Sequence, residues 1–439
     1  MSKLPNIDKE EAVLSYLDKL SKDTRRKSNI SKNAEIFTPP NLINQMLDDL
    51  PIVVWSNENY KWLDLACGIG NFSLLIYGRL MIGLKLKYPN FRDRKRHILE
   101  NMMYFSEINK SNVSTINKIF NPKNEYKLNI HNGDSLILDP NDKSFNKFNV
   151  IVCNPPYHVT DRKSQGGKGA NLHFEFSKKA VELVANKGYL LFIQPRNWRS
   201  IGSPILKLYS KMTFLKLYLN YGRNYFVNAS VNTDYYLLVN AKTNVTTEIH
   251  YKYNRMNYVN NTKINFPKFI PNVYNIHIKG ILNKLMNTGK SYKCIISSDC
   301  HKNQPHVGLL NKKFKFPLYN TSANPFIYGA SRPHINQYDK KVILSNSGKL
   351  EPFYDDGVYG TTQDSMYILV DTKTEGNNIV NALNTNLFKF IIKICKWSNY
   401  RNEVKLFSIL KYPTIRVTNN TINKYYNITY DEEEYLEEI

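Results

Sequence analysis

Short apolar runs separated by segments of helical length dominate the chain from about residue 60 onwards. The runs span residues 62–66, 102–106, 126–130, 148–153 and 188–194. This alternation predicts parallel strands joined by right-handed helical crossovers, with helices on both faces of the sheet. Two further runs, 214–219 and 231–239, lie close together and are interpreted as an antiparallel pair that closes the sheet. The pattern therefore predicts an α/β fold.

The pattern differs on either side of residues 37–245, which we take as one domain. Residues 1–36 combine a short amphipathic helix with a basic stretch, which indicates a docking segment. Residues 246–275 are rich in Asn, Lys and Tyr and contain two prolines, which indicates a connecting region. Residues 276–430 begin with a helical pattern and then mix strand-like and loop segments, so we expect a second domain of mixed α+β type. Residues 431–439 hold six acidic and no basic residues, which predicts a solvated acidic tail.

The 439-residue chain carries a formal net charge of +23, which favours a polyanionic partner, nucleic acid before an acidic membrane surface. Neither a signal-like N-terminus nor an apolar run of about 18 residues is present, so we expect a cytoplasmic protein without membrane association. Five scattered cysteines are typical of a reducing compartment. The irregular spacing of Cys294, Cys300, His301 and His306 does not match a zinc site, and we expect no metal.

The turn after the first predicted strand contains the first candidate chemistry. Asp64 ends that strand, and Gly68 and Gly70 would let the backbone approach a ligand closely. The turn lacks the Gly-x-Gly-x-x-Gly spacing of NAD-binding proteins. Glu107 ends the next strand, where a carboxylate can hold a ribose diol, and Asp134 follows the third, where it can meet an adenine amino group. Acidic groups at three successive strand ends favour a cofactor that contains a nucleoside.

Asn154, Pro155, Pro156 and Tyr157 follow the apolar strand 148–153, at the same edge of the predicted sheet. An adenine N6 amino group is a poor nucleophile because its lone pair is delocalised into the ring. The Asn154 side-chain oxygen and the Pro155 carbonyl oxygen can accept hydrogen bonds from both N–H groups, which directs the lone pair towards an electrophilic methyl group. The two prolines fix the backbone, and Tyr157 offers a face on which an extruded base can stack.

The order of these motifs resembles the gamma-class N6-adenine DNA methyltransferases, the TaqI-methylase-like group. The resemblance covers about residues 34–240 and rests on Phe37-Thr38-Pro39-Pro40, Asp64 to Gly68, Glu107, Asp134 and Asn154 to Tyr157. It implies a seven-stranded Rossmann-like domain, S-adenosylmethionine as methyl donor, a flipped-out adenine in double-stranded DNA as substrate, and a C-terminal target-recognition domain. Leu65 stands where these enzymes usually have Pro, which we expect to alter the rigidity of the loop.

The resemblance also implies roles for individual residues. Catalysis falls to Asn154, Pro155, Pro156 and Tyr157, with Phe226 as a second aromatic residue for the base. Cofactor contacts fall to Phe37, Thr38, Pro39, Asp64, Ala66, Cys67, Gly68, Gly70, Phe72, Glu107, Ile108, Asp134, Ser135 and Asn154.

Basic residues in two regions are candidates for DNA contact. Arg162, Lys163 and Lys168 lie in the loop that follows Tyr157, and this loop is expected to order over the DNA. Lys312, Lys313, Lys315 and Arg332 lie in the second domain and fit contact with the DNA backbone. We expect a monomer, and a restriction endonuclease on a separate chain is left open as a partner.

Several alternatives share part of this pattern. The same catalytic loop could serve an RNA adenine or a protein glutamine methyltransferase, but those enzymes are generally small and need no long basic second domain. A DNA-binding protein with an inactive catalytic fold is disfavoured by the intact Asn154 to Tyr157 and Glu107. A fused nuclease is disfavoured because only 36 residues precede Phe37. Transfer to cytosine N4 is less favoured, because those enzymes more often have Ser at the position of Asn154.

Overall fold

The structure is a computed structural model that describes residues 38–142, 147–157, 172–225, 232–264, 268–398 and 400–438. The chain divides into two compact units. The first contains Met1–Trp198 and Gly202–Lys268, and the second contains Arg199–Ile201 and Phe269–Ile439.

The first unit alternates strands and helices in the manner that the sequence predicts. Its strands are β1 (Trp62–Asp64), β2 (Met103–Glu107), β3 (Asn129–Asn132), β4 (Phe148–Cys153), β5 (Val184–Pro195), β6 (Thr213–Tyr218), β7 (Thr233–Val239), β8 (Thr247–Tyr253) and β9 (Met256–Thr262). Its helices are α1 (Pro40–Asp48), α2 (Val53–Ser56), α3 (Asn71–Gly83), α4 (Phe91–His97), α5 (Lys110–Phe120), α6 (Leu172–Leu183) and α7 (Pro204–Leu208). A π turn follows α4 at Ile98–Met102, and short 3₁₀ turns lie at Ser135–Ile137, Arg196–Arg199, Tyr209–Lys211 and Tyr221–Asn224.

The strands of the first unit form one sheet in the order β3-β2-β1-β4-β5-β7-β6-β8-β9. Strands β1 to β5 pair in parallel, whereas β7 runs antiparallel between β5 and β6. The expected antiparallel pairing of the runs 214–219 and 231–239 is therefore confirmed, but the pair does not close the sheet, because β6 also pairs with β8. Because β1, β2 and β4 are parallel neighbours, their carboxyl ends lie side by side at one edge, and this arrangement places the predicted motifs together.

One large hydrophobic core of the described residues joins α1 and α3 to strands of this sheet. Helix α3 is apolar around most of its circumference, so it is buried rather than amphipathic, and Leu75, Tyr77 and Leu80 are each at most 2% exposed. Helix α1 has the opposite pattern, with Leu42, Ile43, Met46 and Leu47 along one buried face. Pro40 occupies the first turn of α1, where the missing backbone N–H would have no partner within the helix.

The expectation of seven strands is exceeded by two, because β8 and β9 extend the described sheet. Both lie in residues 246–275, and the expectation of a connecting region is wrong for the residues that form them. Ile249 and Tyr251 alternate with the more exposed Glu248, His250 and Lys252, which is the pattern of a strand buried on one face. The abundance of Asn, Lys and Tyr obscured this period of two in the sequence.

The second unit is of mixed α+β type, as expected. Its strands are β10 (Lys290–Ser291), β11 (Cys294–Ile295), β12 (Val307–Leu309), β13 (Phe316–Tyr319), β14 (Tyr328–Ala330), β15 (Lys340–Ser345), β16 (Phe353–Asp356), β17 (Gly360–Thr361), β18 (Ser365–Leu369) and β19 (Lys411–Tyr412). Its helices are α8 (Ile276–Asn287), α9 (Lys373–Asn384), α10 (Asn386–Ile394), α11 (Val404–Ile409), α12 (Asn419–Tyr425) and α13 (Tyr430–Glu438). Two four-stranded sheets, β11-β18-β15-β16 and β12-β14-β13-β17, form its centre.

The acidic segment at the C-terminus is helical and partly buried, so the prediction of a solvated tail is wrong for its described part. Glu432, in α13, is only 6% exposed and forms an ion pair with Lys284 of α8. The Glu432 carboxylate also accepts a hydrogen bond from the Thr429 backbone N–H at 2.9 Å. The basic partner lies about 150 residues away in the chain, and a local charge count cannot reveal such a pair. Among the helices in the described ranges, none has the length and apolar character needed to cross a membrane.

Candidate active site

The turn between β1 and α3 is fixed by backbone hydrogen bonds to the neighbouring strands. The Leu65 N–H donates to the Val152 carbonyl of β4, and the Cys67 N–H donates to the Ser106 carbonyl of β2, both at 3.1 Å. Gly70 has φ +88°, in the left-handed region where residues with a side chain are rare. This turn is therefore preformed at the carboxyl edge of the sheet, as the sequence predicts for a ligand-binding loop.

Asp64 ends β1 and is buried beneath this turn, with 3% of its surface exposed. One carboxylate oxygen, Oδ2, accepts a hydrogen bond from the Ser73 hydroxyl at 2.8 Å. The other oxygen, Oδ1, has no hydrogen-bond partner within the described ranges. Burial raises the pKa of Asp64 to about 7, and the nearby Glu107 carboxylate adds to the rise. A buried acceptor of this kind is suited to a cationic or N–H donor from a ligand.

Glu107, at the end of β2, also faces the turn. Its Oε2 accepts a hydrogen bond from the Gly68 N–H at 2.8 Å, and its Oε1 accepts one from the Asn109 N–H at 2.7 Å. Glu107 therefore ties the glycine turn to β2.

The segments after β2 and β3 contribute one buried and two exposed residues. Ser135 is buried, and its hydroxyl donates to the Leu65 carbonyl at 2.8 Å, so it supports the β1 turn from below. Asp134 is exposed and accepts a hydrogen bond from the Leu136 N–H at 2.9 Å. Ile108, just after β2, is 70% exposed. A ligand at this edge can reach Asp134 and Ile108, whereas Ser135 has a supporting position.

The Asn154 side chain is held at both ends of its amide group. Its Nδ2 donates to the Thr38 hydroxyl oxygen at 2.9 Å, and its Oδ1 accepts a hydrogen bond from the Tyr157 hydroxyl at 3.0 Å. The Thr38 carbonyl in turn accepts a hydrogen bond from the Asn71 side chain at 3.2 Å, which links this group to the start of α3. The segment before α1, the glycine turn and the segment after β4 therefore meet in one place.

Tyr157 is protected from ionisation, because burial raises the pKa of its phenol far above the usual value. It therefore remains a hydrogen-bond donor to Asn154 across the physiological range. Its ring lies edge to face against His173 of α6, with 6.4 Å between the ring centres. Pro155 is buried and Pro156 is exposed, so the backbone between Asn154 and Tyr157 is anchored on one side only.

Two of the residues predicted to contact a cofactor lie in the hydrophobic core. Phe72 is 5% exposed and packs with the residues of α3, and Cys67 is 7% exposed with a thiol whose pKa is raised by burial. For these side chains the structure favours packing over ligand contact, since both belong to the buried core cluster. Thr38 and Pro39 are also buried, whereas Ala66 and Gly68 are half-buried at the turn.

The structure adds residues that the sequence analysis missed. Ser73 bonds Asp64, Asn71 bonds Thr38, and Ser106 bonds Ser135 at 2.7 Å. Ser73 and Asn71 lie in the first turn of α3, directly after the glycine turn, and this position was the available signal. The remaining predicted residues Phe37, Arg162, Lys163, Lys168 and Phe226 lie outside the described residues.

The predicted DNA contacts of the second unit differ in their surroundings. Lys312, Lys313 and Lys315 are exposed on the loop between β12 and β13. Arg332 instead forms an ion pair with Asp299 at 2.7 Å, and Asp299 also accepts a hydrogen bond from the Ile335 N–H. Because its charge is already paired, Arg332 is a weaker candidate for a phosphate contact than the three lysines.

The Eco57I restriction-modification methylase family model matches residues 65–226. A Mycoplasma pneumoniae protein described as an uncharacterized adenine-specific methylase is 26% identical over 238 residues, which are 38% of this chain and 56% of that protein. The chain thus spans about half the length of the curated relative that it matches. The family model confirms the resemblance to restriction-modification methylases over residues 65–226, and the Mycoplasma pneumoniae relative is described as adenine-specific.

Solved structures with a similar arrangement include DNA complexes. The match to the DrdV–DNA complex covers 98% of this chain and 59% of the DrdV chain, with 10% identity and a TM-score of 0.49. The type IIL restriction-modification enzyme MmeI in complex with DNA covers 82% of this chain and 65% of its own, with 10% identity and a TM-score of 0.46. The M protein of the type I restriction enzyme EcoKI covers 50% of this chain and 49% of its own, with 14% identity and a TM-score of 0.37.

Proposed function

We propose that this chain transfers a methyl group from S-adenosylmethionine to the N6 amino group of an adenine that has been flipped out of double-stranded DNA. The observation that carries the proposal is the Asn154 side chain. Its amide is fixed by Thr38 and Tyr157 at the same sheet edge as Asp64 and Glu107. The match to restriction-modification methylases over residues 65–226 and the similarity to a protein described as an adenine-specific methylase support the choice of reaction.

The residues at the sheet edge fit the proposed cofactor. S-adenosylmethionine, when bound, supplies an electrophilic methyl group on a positively charged sulfur. Asp64 has a buried oxygen without a hydrogen-bond partner among the described residues, and a cationic group of the cofactor can use it. Glu107 offers acceptors for ribose hydroxyls, and Asp134 and Ile108 are exposed where an adenine ring would lie. The left-handed Gly70 keeps the backbone of the turn close to such a ligand.

Asn154 then prepares the amino group for transfer. Its Oδ1 accepts a hydrogen bond from one N6 N–H of the target base, and the Pro155 carbonyl accepts one from the other. An amide oxygen has two lone pairs, so Oδ1 can keep its bond with Tyr157 while it accepts the base. Methyl transfer would form the N6–C bond as the methyl–sulfur bond breaks and leaves a neutral thioether, and the extra proton on the cationic N6 would pass to solvent. These acceptors favour that developing positive charge.

Double-stranded DNA is the proposed substrate because of the charge and the second unit. The chain has a net charge of +23, and its second unit presents Lys312, Lys313 and Lys315 to solvent. A polyanion with many phosphates is the partner that such a surface attracts. The monomeric state stays a prediction, and a restriction endonuclease on a separate chain stays open as a partner.

The proposal is tested by offering the purified chain three substrates with labelled S-adenosylmethionine. These are random-sequence duplex DNA, an RNA of the same sequence, and a peptide mixture rich in glutamine. We expect label only in DNA, recovered after digestion as N6-methyladenine at one sequence context. Label in RNA or peptide would contradict DNA as the substrate. Recovery of the label as N4-methylcytosine would contradict adenine as the target base. Calorimetry with the cofactor alone separates an inactive fold from an active enzyme that lacks its substrate.

A further inference from the structure

A short crossing loop lies on one of the small sheets of the second unit. Strand β14 pairs antiparallel with β12 on one side and with β13 on the other. Strands β12 and β13 are therefore parallel to each other, and only residues 310–315 connect them. A connection this short must cross directly over the middle strand β14, since a route around its end would need more residues.

Two glycines make this crossing possible. Gly308 of β12 and Gly329 of β14 are cross-strand partners. A Cβ atom on Gly329 would collide with the Phe314 carbonyl oxygen, and one on Gly308 would collide with the Phe314 ring. The loop therefore packs directly against the backbone of β12 and β14, because neither glycine has a side chain. Phe314 covers both glycines.

The crossing loop is also fixed by hydrogen bonds. The Asn311 side-chain oxygen accepts from the Lys313 N–H at 2.8 Å and from the Phe314 N–H at 3.0 Å, which closes a tight turn. The Leu310 N–H donates to the Ile327 carbonyl at 3.1 Å, so the loop is tied to the segment before β14. Its shape is therefore set before any partner arrives.

This fixed loop presents both positive charge and apolar surface. Lys312, Lys313 and Lys315 are exposed, and the segments 309–316 and 320–327 contain no acidic residue. The ammonium groups of Lys313 and Lys315 lie 5.2 and 5.3 Å from the ring centres of Phe314 and Phe316, which directs these two side chains. Leu310 and Ile327 lie beside them and are 44% and 42% exposed. Residues 310–315 together with Ile327 are called the basic crossover below.

We propose that the basic crossover is a preformed contact surface for duplex DNA. In this role the three lysines bind backbone phosphates, while Leu310 and Ile327 lie against sugars or base edges in the adjacent groove. The positive charge of the three lysines is complementary to a polyanion. Leu310 and Ile327 favour a polyanion whose charged backbone lies beside apolar edges, as in duplex DNA. This inference rests on the proposed function and names the surface of the second unit that meets the substrate.

The test compares salt dependence of DNA binding in two sets of matched variants. The first set is K312A/K313A/K315A, and its control is K373A/K389A/K424A, which removes three exposed lysines from helices α9, α10 and α12 of the same unit. The logarithm of affinity is measured against the logarithm of salt concentration on one duplex. We expect K312A/K313A/K315A to make the slope of this plot shallower by about 2 to 3, because each lost phosphate contact reduces the slope by about 0.9. The control should change it little.

The apolar contact is tested by Ile327→Ser against Ile415→Ser, since Ile415 is an exposed isoleucine elsewhere in the unit. We expect Ile327→Ser to weaken binding several-fold without changing the salt slope, because an apolar contact releases no counterions. If the wild-type chain methylates DNA but both lysine triples behave alike and Ile327→Ser matches the wild type, the basic crossover is not a DNA contact. If the wild-type chain neither binds nor methylates DNA, the proposed function fails, and this inference fails with it.

Discussion

Asp64 in the first unit and Asp355 in the second are both buried aspartates, each 3% exposed, but their surroundings are opposite. Asp355 pairs with the Lys341 ammonium group at 2.8 Å and accepts hydrogen bonds from the Val358 and Tyr359 N–H groups. Asp64 has one hydroxyl donor and an oxygen that no described residue bonds. A buried carboxylate with complete partners stabilises a fold, whereas one with an open acceptor is available to a ligand. The same residue type therefore has a structural role in one unit and a proposed binding role in the other.

The largest expected effect comes from breaking the complete pair. Lys341 is fully buried and also donates to the Gln337 and Asp339 carbonyls at 3.0 and 2.8 Å. Lys341→Met should lower the free energy of unfolding by about 3–5 kcal/mol, because the Asp355 charge would remain buried without its partner. Chemical denaturation measures this loss. The neighbouring exposed Lys340→Met is the control and should change stability by less than about 0.5 kcal/mol.

Replacing Asp64 should affect cofactor binding and leave stability intact, the opposite of the effect at Lys341. Asp64→Asn keeps an acceptor for the Ser73 hydroxyl and removes a buried charge, so the free energy of unfolding should stay the same or increase. Cofactor affinity should fall by about 1.5–3 kcal/mol, which is the usual value of a hydrogen bond to a charged group. Calorimetry and thermal denaturation on the same samples separate the two effects. A destabilised variant that still binds S-adenosylmethionine normally would show that Asp64 is structural, like Asp355.

The pKa of Asp64, raised by burial to about 7, adds a pH dependence to this contrast. Below that value the carboxyl group is protonated and cannot pair with a cation, so the cofactor should bind more tightly as the pH rises from 6 to 8. The gain should approach tenfold per pH unit below the pKa and level off above it. Asp64→Asn should remove this dependence. A wild-type affinity that is flat between pH 6 and 8 would contradict the role proposed for Asp64.

A smaller effect is expected at Thr38, which positions Asn154 without reaching the substrate amino group. Thr38→Val removes the acceptor for the Asn154 Nδ2 group and keeps the shape of the side chain. Methylation at saturating cofactor should become slower. The loss of transition-state stabilisation should be about 0.5–1.5 kcal/mol, the range for one neutral hydrogen bond. Thr38→Ser should restore most of it. Equal loss in both variants, or a loss confined to cofactor affinity, would assign Thr38 to the cofactor alone.

Much of the first unit could be predicted because its signals are local. Each predicted strand run overlaps an observed strand, and Asn154 to Tyr157 follow β4 directly. Parallel pairing then brings the ends of β1, β2 and β4 together without further information. The contact between Thr38 and Asn154 joins residues 116 positions apart, so the sequence supplied the two motifs but not the bond between them.

The second unit was predicted only in outline, for the opposite reason. The loop after β12 is visible in the sequence as a basic stretch, but its crossing over Gly329 depends on how three short strands pair. The pairing of Arg332 with Asp299 and of Glu432 with Lys284 likewise depends on tertiary contacts. Strands of two to six residues leave little periodic signal, so beyond the helix at Ile276–Asn287 charge was the main readable feature.

We propose that Asn154 activates an adenine amino group beside a separately bound methyl donor. Single-turnover formation of N6-methyladenine on duplex DNA, compared between the wild-type chain and Asn154→Ala, tests this role when cofactor affinity is measured on the same samples. We expect a rate loss on the order of 10² to 10³, as for other lost transition-state acceptors or donors, with cofactor affinity nearly unchanged. An Asn154→Ala chain that forms N6-methyladenine at the wild-type rate would contradict it.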